Sequence, residues 1–339
     1  MGKRPRILVV GSFVMDLIVS TGRFPSSGET VLGKNFHIVP GGKGANQAVQ
    51  AARLGADVTM VGKVGDDDFG KKLLESCKNA GIHTEHVMTD PSVSSSVGNV
   101  QLEERPDGTS NRIIVIPEAN QKIRPEEVGF LKDTISRYDM VILQLEIPME
   151  INELVAEYAF QKGVPVMLNP APSAPLSKEF LSHLTYLSPN EHEAADLSGV
   201  EIRRDGKKVS QEDLKAAIDA LLDTGVKNVV VTLGNAGAAV AGRKNFVWEP
   251  CIDVVETKDP TAAGDSFIGA FTVAVCAGLT RKQALRFANY CATLTVSRIG
   301  AQTSLPTLRE VFDLIRKVDT SGFDLTILEN RLTERSEDS

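Results

Sequence analysis

The chain has 339 residues, and its 42% hydrophobic and 24% charged composition is typical of a globular protein of one or two domains. A formal net charge of −7 disfavours nucleic acid or an anionic membrane as the main partner, and no run of about 18 apolar residues indicates a membrane span. The four cysteines, Cys77, Cys251, Cys276 and Cys291, form no C-x-x-C pair. Cys276 and Cys291 lie in apolar helical stretches, which favours reduced core thiols and a cytoplasmic location.

Short apolar runs alternate with longer helical patterns along most of the chain. The apolar runs predict strands at Ile7–Val10, Val58–Val61, Met140–Leu143, Val164–Leu168 and Val229–Thr232. The helical patterns cover residues 45–54, 69–80, 148–162 and 210–224, and each is closed by a glycine. This alternation predicts an α/β fold with a mostly parallel sheet that is covered by helices on both faces.

Two stretches, residues 17–40 and 96–117, interrupt this alternation because strand and turn patterns occur there without a helix. The second contains a hairpin pattern, in which Val97–Leu102 and Arg112–Ile116 flank a turn at residues 105–108. We expect both stretches to form one small β-sheet outside the main domain; the alternative is a pair of irregular surface loops. The last fifteen or so residues are highly polar and are expected to be frayed.

A first glycine-rich segment, Gly41-Gly42-Lys43-Gly44-Ala45-Asn46, opens the predicted helix at 45–54. Glycines let a backbone turn sharply and approach a ligand, and the free N–H groups at a helix start suit hydroxyls or anions. Asn46 can add a hydrogen bond from the first helical turn. The alternative is that the segment is only a tight turn before a helix.

A second segment, residues 259–266, opens a very apolar and therefore buried helix at Phe267–Ala277. The N–H groups of Ala263, Gly264 and Asp265 would form an anion hole of low dielectric at its start. Asp265 is a candidate acid/base group there, because a helix N-terminus favours the ionised carboxylate. The alternative is that Asp265 only caps the helix. The sequence contains neither the P-loop pattern nor the dinucleotide glycine pattern after the first strand.

Taken together, Gly41–Ala48 and Thr261–Phe267 resemble the two signatures of the ribokinase family of carbohydrate kinases. The likeness runs from about residue 7 to about residue 318 and includes Gln144-Leu145-Glu146 and Pro189-Asn190-Glu191-His192-Glu193. Two separated motifs in the right order are far more specific than either alone. The resemblance implies a Rossmann-like kinase domain at 1–319 with a β-sheet lid formed by about 14–40 and 96–117, followed by a polar tail at 320–339.

The resemblance also implies the reaction. ATP would give its γ-phosphoryl group to the C5 hydroxymethyl of D-ribose, producing D-ribose 5-phosphate, with Mg²⁺ and K⁺ as cofactors. Asp265 would be the catalytic base, while the amides of residues 262–265 (Ala262, Ala263, Gly264 and Asp265) would stabilise the transferring group. The implied sugar site consists of Asp16, Gly41, Gly42, Lys43, Asn46, Glu146 and Asp265, with Val14 beside Asp16. The implied ATP site consists of Asn190, Thr232, Leu233, Gly234, Asn235, Ala236, Gly237, Gly264 and Asn289.

Two metal sites follow from the same resemblance. Glu193 would act on Mg²⁺ through water, since Mg²⁺ keeps several waters and takes few protein ligands. The loops that would hold a monovalent cation contain Asp259, Thr261, Thr295, Arg298, Gly300 and Ser304. A homodimer through the lid is also implied, with an exposed apolar lid face that includes Ile113 and Val115.

The sequence departs from the family pattern at three positions. Val14 stands where ribokinase-family sugar sites often have Asn, Pro260 where Thr is common, and Glu118 where a Gly-Ala-Asn run usually begins. The first departure leaves a kinase of another sugar, such as a fructose-type kinase, as an alternative. A nucleoside kinase is less favoured, because Phe24 and Phe36 are the only aromatic residues in the lid stretches that could sandwich a base. A sugar-binding sensor without catalysis is a remote alternative, since Asp265 and Lys43 are present.

Overall fold

The computed structural model describes residues 3–105, 108–320 and 322–332. Its strands, in chain order, are β1 (Arg6–Val10), β2 (Val14–Thr21), β3 (Gly33–Gly41), β4 (Asp57–Gly65), β5 (His83–Asp90), β6 (Val97–Arg105), β7 (Gly108–Ile116), β8 (Met140–Gln144), β9 (Val166–Asn169), β10 (Tyr186–Leu187), β11 (Arg204–Asp205), β12 (Lys208–Val209), β13 (Asn228–Thr232), β14 (Ala238–Gly242) and β15 (Asn245–Glu249).

The α-helices of the same residues follow the predicted alternation. They are α1 (Lys43–Arg53), α2 (Asp68–Asn79), α3 (Pro125–Val128), α4 (Leu131–Thr134), α5 (Met149–Gln161), α6 (Lys178–His183), α7 (Glu191–Ser198), α8 (Gln211–Asp223), α9 (Ala263–Ala277), α10 (Arg281–Val296), α11 (Leu308–Val318) and α12 (Thr326–Leu332). Among these described helices, none is long and apolar enough to cross a membrane.

One sheet of nine strands runs in the order β15-β14-β13-β10-β9-β8-β1-β4-β5. All neighbours from β13 to β5 are parallel, and only β14 and β15 are antiparallel to their neighbours. Along β1, Ile7 and Val9 join one buried cluster while Leu8 and Val10 join the other. Both faces of the central strand are therefore covered, which explains its uninterrupted apolar run and confirms the predicted α/β fold.

A small sheet stands apart in the order β3-β2-β6-β7 and confirms the predicted lid. β2 pairs antiparallel with β3 and parallel with β6, so both excursions contribute to one sheet. The central residues of the predicted turn at 105–108 lie outside the described residues. Ile113 and Ile114 are 54% and 62% exposed. Since consecutive residues of a strand point to opposite faces, the lid exposes apolar side chains on both faces, not on one as expected.

The polar C-terminal segment is only partly described. The prediction of a frayed end is wrong for Thr326–Leu332, which forms α12 and buries Leu328 and Leu332 in the core on the α9 side of the sheet. These two apolar residues, four positions apart, share one helical face and anchor the helix despite its polar composition. Residues 333–339 lie outside the described residues, and the division of the chain at 319 stays a prediction.

Candidate active site

The carboxylate of Asp16 is seated between two glycines of the lid. Asp16 lies on β2 and is paired with Gly98 of β6, while Gly41 closes the neighbouring strand β3. A Cβ atom added at Gly41 would overlap Oδ2 of Asp16, and one at Gly98 would overlap Oδ1. Only glycine leaves room for the carboxylate at both positions. Gly98 is absent from the predicted site, although a glycine inside a strand signals such a close approach.

Asp16 is perturbed and has open acceptors. Its pKa is raised to about 7, chiefly by burial and then by the neighbouring Glu146, and the Lys43 ammonium partly opposes both. No hydrogen bond joins the Asp16 carboxylate to another residue within the described part of the chain. Both oxygens can therefore accept hydroxyl donors. Val14, two residues earlier, is buried beside Gly98.

The start of α1 is tied to Glu146. Its Oε2 accepts the backbone N–H of Lys43 at 3.0 Å and the hydroxyl of Ser12 at 2.5 Å. The Ser12 hydroxyl in turn accepts the N–H of Gly44 at 3.2 Å. The Lys43 ammonium lies 3.9 Å from Oε1 of Glu146. Burial alone would lower the pKa of Lys43, but the carboxylates around it, led by Asp265, raise it overall, so a charged ammonium faces the site.

Asp265 is the third residue of α9, and its carboxylate is held by α1. Oδ2 accepts Nδ2 of Asn46 and Oδ1 accepts Nε2 of Gln47, both at 2.9 Å. The cap position belongs to Ala262, which has a left-handed φ of 59° and makes no side-chain capping bond. The alternative that Asp265 only caps the helix is therefore wrong. Gln47 is absent from the predicted site, although it follows Asn46 within the first glycine-rich motif.

The electrostatics at the start of α9 differ from the sequence-based expectation. Burial raises the pKa of Asp265 and outweighs the Lys43 ammonium and the two amide donors, so the neutral form is favoured relative to an exposed carboxyl. The N–H of Ala263 donates to the carbonyl of Pro260 at 3.2 Å and is not free. Within the described residues, the N–H groups of Gly264 and Asp265 have no acceptor, so these two donors are open to an anionic group.

Two cavities meet at this helix start. The larger, of about 460 Å³, is lined by Thr232, Gly234, Asn235, Gly237, Gly264 and Asn289 of the predicted ATP site. The smaller, of about 150 Å³, is lined by Lys43, Asn190, Glu193, Ala262, Ala263 and Asp265. Thr232, Pro260, Ala263 and Gly264 line both. The arrangement suits a ligand whose bulky end occupies the larger cavity and whose anionic end reaches Asp265.

Two predicted ATP-site residues, Leu233 and Ala236, line neither of these cavities. Leu233 is fully buried in the core, and the carbonyl of Ala236 accepts Nε1 of Trp248 at 2.9 Å. The amide of Asn289 donates to the carbonyls of Glu249 and Pro250. These contacts hold the cavity wall, which also includes the unpredicted residues Cys251, Ile252, Asp253, Val255 and Thr257.

Asn190 and Glu193 form a capping box at the start of α7. Oδ1 of Asn190 accepts the N–H of Glu193, and Oε2 of Glu193 accepts the N–H of Asn190, both at 2.9 Å. Burial raises the pKa of Glu193, and the Asn190 N–H and the Lys43 ammonium oppose this. No group of three or more acidic, histidine or cysteine side chains in the described residues could hold a metal. Water and substrate would therefore supply most of the ligands of a cation at this position.

The loop before α9 is closed by Asp259. Its Oδ1 accepts the N–H of Thr261 and its Oδ2 accepts the N–H of Gly300, both at 2.9 Å. Within the described residues, the carbonyls of Asp259, Thr261 and Gly300 accept no hydrogen bond, which fits a carbonyl-lined cation site. The other predicted cation-loop residues make separate contacts: Thr295 with Ser266, Arg298 with Glu310, and Ser304 with the carbonyl of Ala301.

Comparison with known proteins decides the family. Residues 4–308 match the family described as pfkB family carbohydrate kinase. The chain belongs to the pfkB family of carbohydrate kinases. This pfkB-family kinase is 40% identical to the ribokinase of Bacillus subtilis (strain 168) over 309 residues, which cover 91% of this chain and 99% of that protein. The predicted resemblance is thus confirmed.

Two further relatives match this pfkB-family kinase over most of their length. The ribokinase of Schizosaccharomyces pombe is 40% identical over 314 residues, covering 90% of this chain and 96% of that protein. The structure of Arabidopsis thaliana ribokinase complexed with ribose and ATP is 32% identical, with a TM-score of 0.83 and coverage of 93% and 99%. The predicted enzyme class, a carbohydrate kinase, is therefore confirmed together with the fold.

Proposed function

We propose that this chain is an ATP-dependent kinase that transfers the γ-phosphoryl group of ATP to the C5 hydroxymethyl of D-ribose, giving D-ribose 5-phosphate. One observation carries the proposal. The buried Asp265 carboxylate is held by Asn46 and Gln47 of the glycine-rich helix start, and it lines a small cavity that meets the nucleotide-sized one. The identity of the relatives reported above supports ribose as the acceptor.

In this proposal the charged groups divide the work of phosphoryl transfer. Asp265 takes the proton of the C5 hydroxyl, and its raised pKa makes it a better base than an exposed carboxylate. The N–H groups of Gly264 and Asp265 and the Lys43 ammonium stabilise negative charge on the transferring group. Asp16 accepts two hydroxyls of the sugar, and the buried Oδ1 of Asn46, which has no partner in the described structure, accepts another.

Two cations complete the proposal. Mg²⁺ would be held through water by Glu193, beside Asn190, and would neutralise charge on the triphosphate. K⁺ would be held by the loops that contain Asp259 and Thr261, with Gly300 and the other predicted residues of the second loop. The free carbonyls described above support that assignment. A filled cation site would fix the loop that leads directly into Ala262 and the anion hole.

We also propose a homodimer through the lid, in the cytoplasm. All four cysteines are free thiols, which supports a reducing compartment. The exposed apolar residues of β7 support a partner, since an unpartnered surface of this kind is unusual in a monomer. We expect a dimer by sedimentation at micromolar concentration and dissociation in Ile113→Asp. Phe160→Asp, at an exposed apolar site on α5, is the matched control. A monomeric parent would contradict the proposal.

A sugar panel tests the function. ADP release is measured with D-ribose, 2-deoxy-D-ribose, D-fructose and adenosine at equal concentrations, and the phosphorylated carbon of the product is identified by NMR. We expect the highest kcat/KM with D-ribose and phosphate on C5. A preference for fructose or adenosine would instead support the fructose-type or nucleoside kinase. Sugar binding without any ADP release would support the sensor.

A further inference from the structure

Arg204 belongs to none of the motifs that carry the kinase assignment, yet it contacts two segments of the candidate site. It begins the two-stranded hairpin of β11 and β12. Its Nη1 donates to Oδ1 of Asn235 at 3.0 Å, its Nη2 donates to the carbonyl of Leu233, and its Nε donates to Oε2 of Glu191 at 2.6 Å. All three donor nitrogens of one guanidinium are thus engaged, and its side chain is 25% exposed.

These partners lie on either side of the junction between the two cavities. Leu233 and Asn235 belong to the turn after β13, which supplies one wall of the larger cavity. Glu191 is the first residue of α7, whose cap Asn190 lines the smaller cavity. The two segments already touch through the N–H of Thr232 and the carbonyl of Pro189, at 3.1 Å. Arg204 therefore joins the wall of the larger cavity to the wall of the smaller one.

The turn that Arg204 contacts contains two glycines, which make it costly to order. Gly234 and Gly237 both have positive φ, at 54° and 96°, and glycines lose the most conformational freedom on ordering. The turn is also fixed by three backbone hydrogen bonds within residues 233–237 and by Nε1 of Trp248, which donates to the carbonyl of Ala236. None of these four contacts reaches α7. A planar guanidinium presents its donors at separate, fixed positions that match a carbonyl, an amide oxygen and a carboxylate, whereas the three donors of a lysine diverge from one nitrogen.

We propose that Arg204 is a positioning residue for the nucleotide: it holds the turn at 233–237 against the start of α7 so that the cavity is preformed for a nucleoside triphosphate. The proposal rests on the proposed kinase function. It predicts an effect on nucleotide affinity with little effect on the sugar, because the side-chain hydrogen bonds of Arg204 in the described part of the chain go to Glu191, Leu233 and Asn235 and not to the Asp16 and Glu146 side of the site.

The test compares Arg204→Met, Arg204→Lys and a matched control, Arg203→Met. Arg203 is the adjacent arginine, and it forms an exposed two-point ion pair with Asp213, with Nε at 2.6 Å and Nη2 at 2.7 Å. For each folded protein we measure ADP affinity by calorimetry, the KM values for ATP and D-ribose, kcat, and the thermal midpoint. The Lys variant keeps the charge and guards against misfolding of the Met variant.

We expect ADP affinity to weaken and the KM for ATP to rise about tenfold in Arg204→Met, the loss that charge-assisted hydrogen bonds of ordinary strength allow. Arg204→Lys should lose nearly as much, while kcat and the KM for ribose change less than about twofold on the same scale. Arg203→Met should match the parent. Parental ADP affinity in both Arg204 variants, or an equal loss in Arg203→Met, would overturn the proposal. A parent that binds no nucleotide would instead overturn the proposed function.

Discussion

Replacing Asp265 with Asn removes one charge from the candidate site and keeps the side chain's shape. Both carboxylate oxygens now accept an amide N–H, from Asn46 and from Gln47. An Asn side chain has one acceptor oxygen and one donor nitrogen. One of the two contacts would therefore bring two N–H donors together, unless one of the side-chain amides rotates to exchange its oxygen and nitrogen. That mismatch costs about 1–3 kcal/mol of folding free energy.

A second effect of the same substitution opposes this loss. Burial raises the pKa of Asp265, so the ionised carboxylate destabilises the folded state, and this cost is fully present above the raised pKa. Removing the charge regains part of the cost, and the gain grows as pH rises to the raised pKa and is constant above it. We therefore expect the free energy of unfolding of Asp265→Asn at pH 8 to lie within about 2 kcal/mol of the parental value, because the regained cost offsets part of the hydrogen-bond loss.

Turnover should respond far more strongly than stability. If Asp265 takes the hydroxyl proton, kcat at saturating ATP and D-ribose should fall by roughly 10²–10⁴. The assay is coupled ADP release, paired with a thermal melt of each protein. Asp67→Asn is the matched control, because Asp67 also accepts an N–H with each carboxylate oxygen, from Gly70 and from Ser95, and lines neither of the two cavities. A folded Asp265→Asn variant that keeps more than about a tenth of parental kcat would refute the catalytic role.

Three other expectations concern pH, salt and backbone strain. Because the pKa of Asp16 is raised to about 7, the KM for D-ribose should rise roughly tenfold from pH 8 to pH 6. The KM of the Asp16→Asn variant for D-ribose should not depend on pH, and the KM for ATP should stay unchanged. A flat pH profile would contradict ionised Asp16 as the group that accepts the sugar hydroxyls. Activity should be higher in KCl than in NaCl or LiCl at fixed ionic strength, and equal rates would exclude a functional cation loop around Asp259. Glu118 has a φ of 35°, so Glu118→Gly should raise the free energy of unfolding by about 1 kcal/mol, as measured by chemical unfolding. The neighbouring control, Ala119→Gly, should lower it. A destabilised Glu118→Gly variant would show that the backbone at this position is not strained.

Local pattern was sufficient for most of the fold. The four long helices predicted from periodicity differ from α1, α2, α5 and α8 by only one or two residues at each end. Apolar runs on strands buried on both faces, such as Ile7–Val10, are nearly unambiguous because a parallel sheet covers both sides. The pattern failed at the C-terminus, where two buried leucines at helical spacing in α12 were outweighed by many charges.

Part of the candidate site could also be predicted from the sequence, but for a different reason. Glycines and polar residues at a helix start indicate a ligand through local geometry alone, so Gly41–Asn46 and the segment before Asp265 were found without any tertiary information. Gly98 and Arg204 were not found, since their partners are distant in sequence. Gly98 matters only because Asp16 occupies the space above it, and Arg204 only because its hairpin lies beside the turn at 233–237.

The sequence by itself determined the α/β alternation, the lid excursions and the two segments that resemble the kinase signatures. Only the tertiary structure decided that Asp265 is embedded and held by Asn46 and Gln47, which lie 219 and 218 positions away. It also decided the ionisation of the acidic groups, because the pKa of Asp16 and of Asp265 is governed by burial. Periodicity specifies which face of an element is buried, but the burial and charge around one carboxylate depend on which distant elements pack against it.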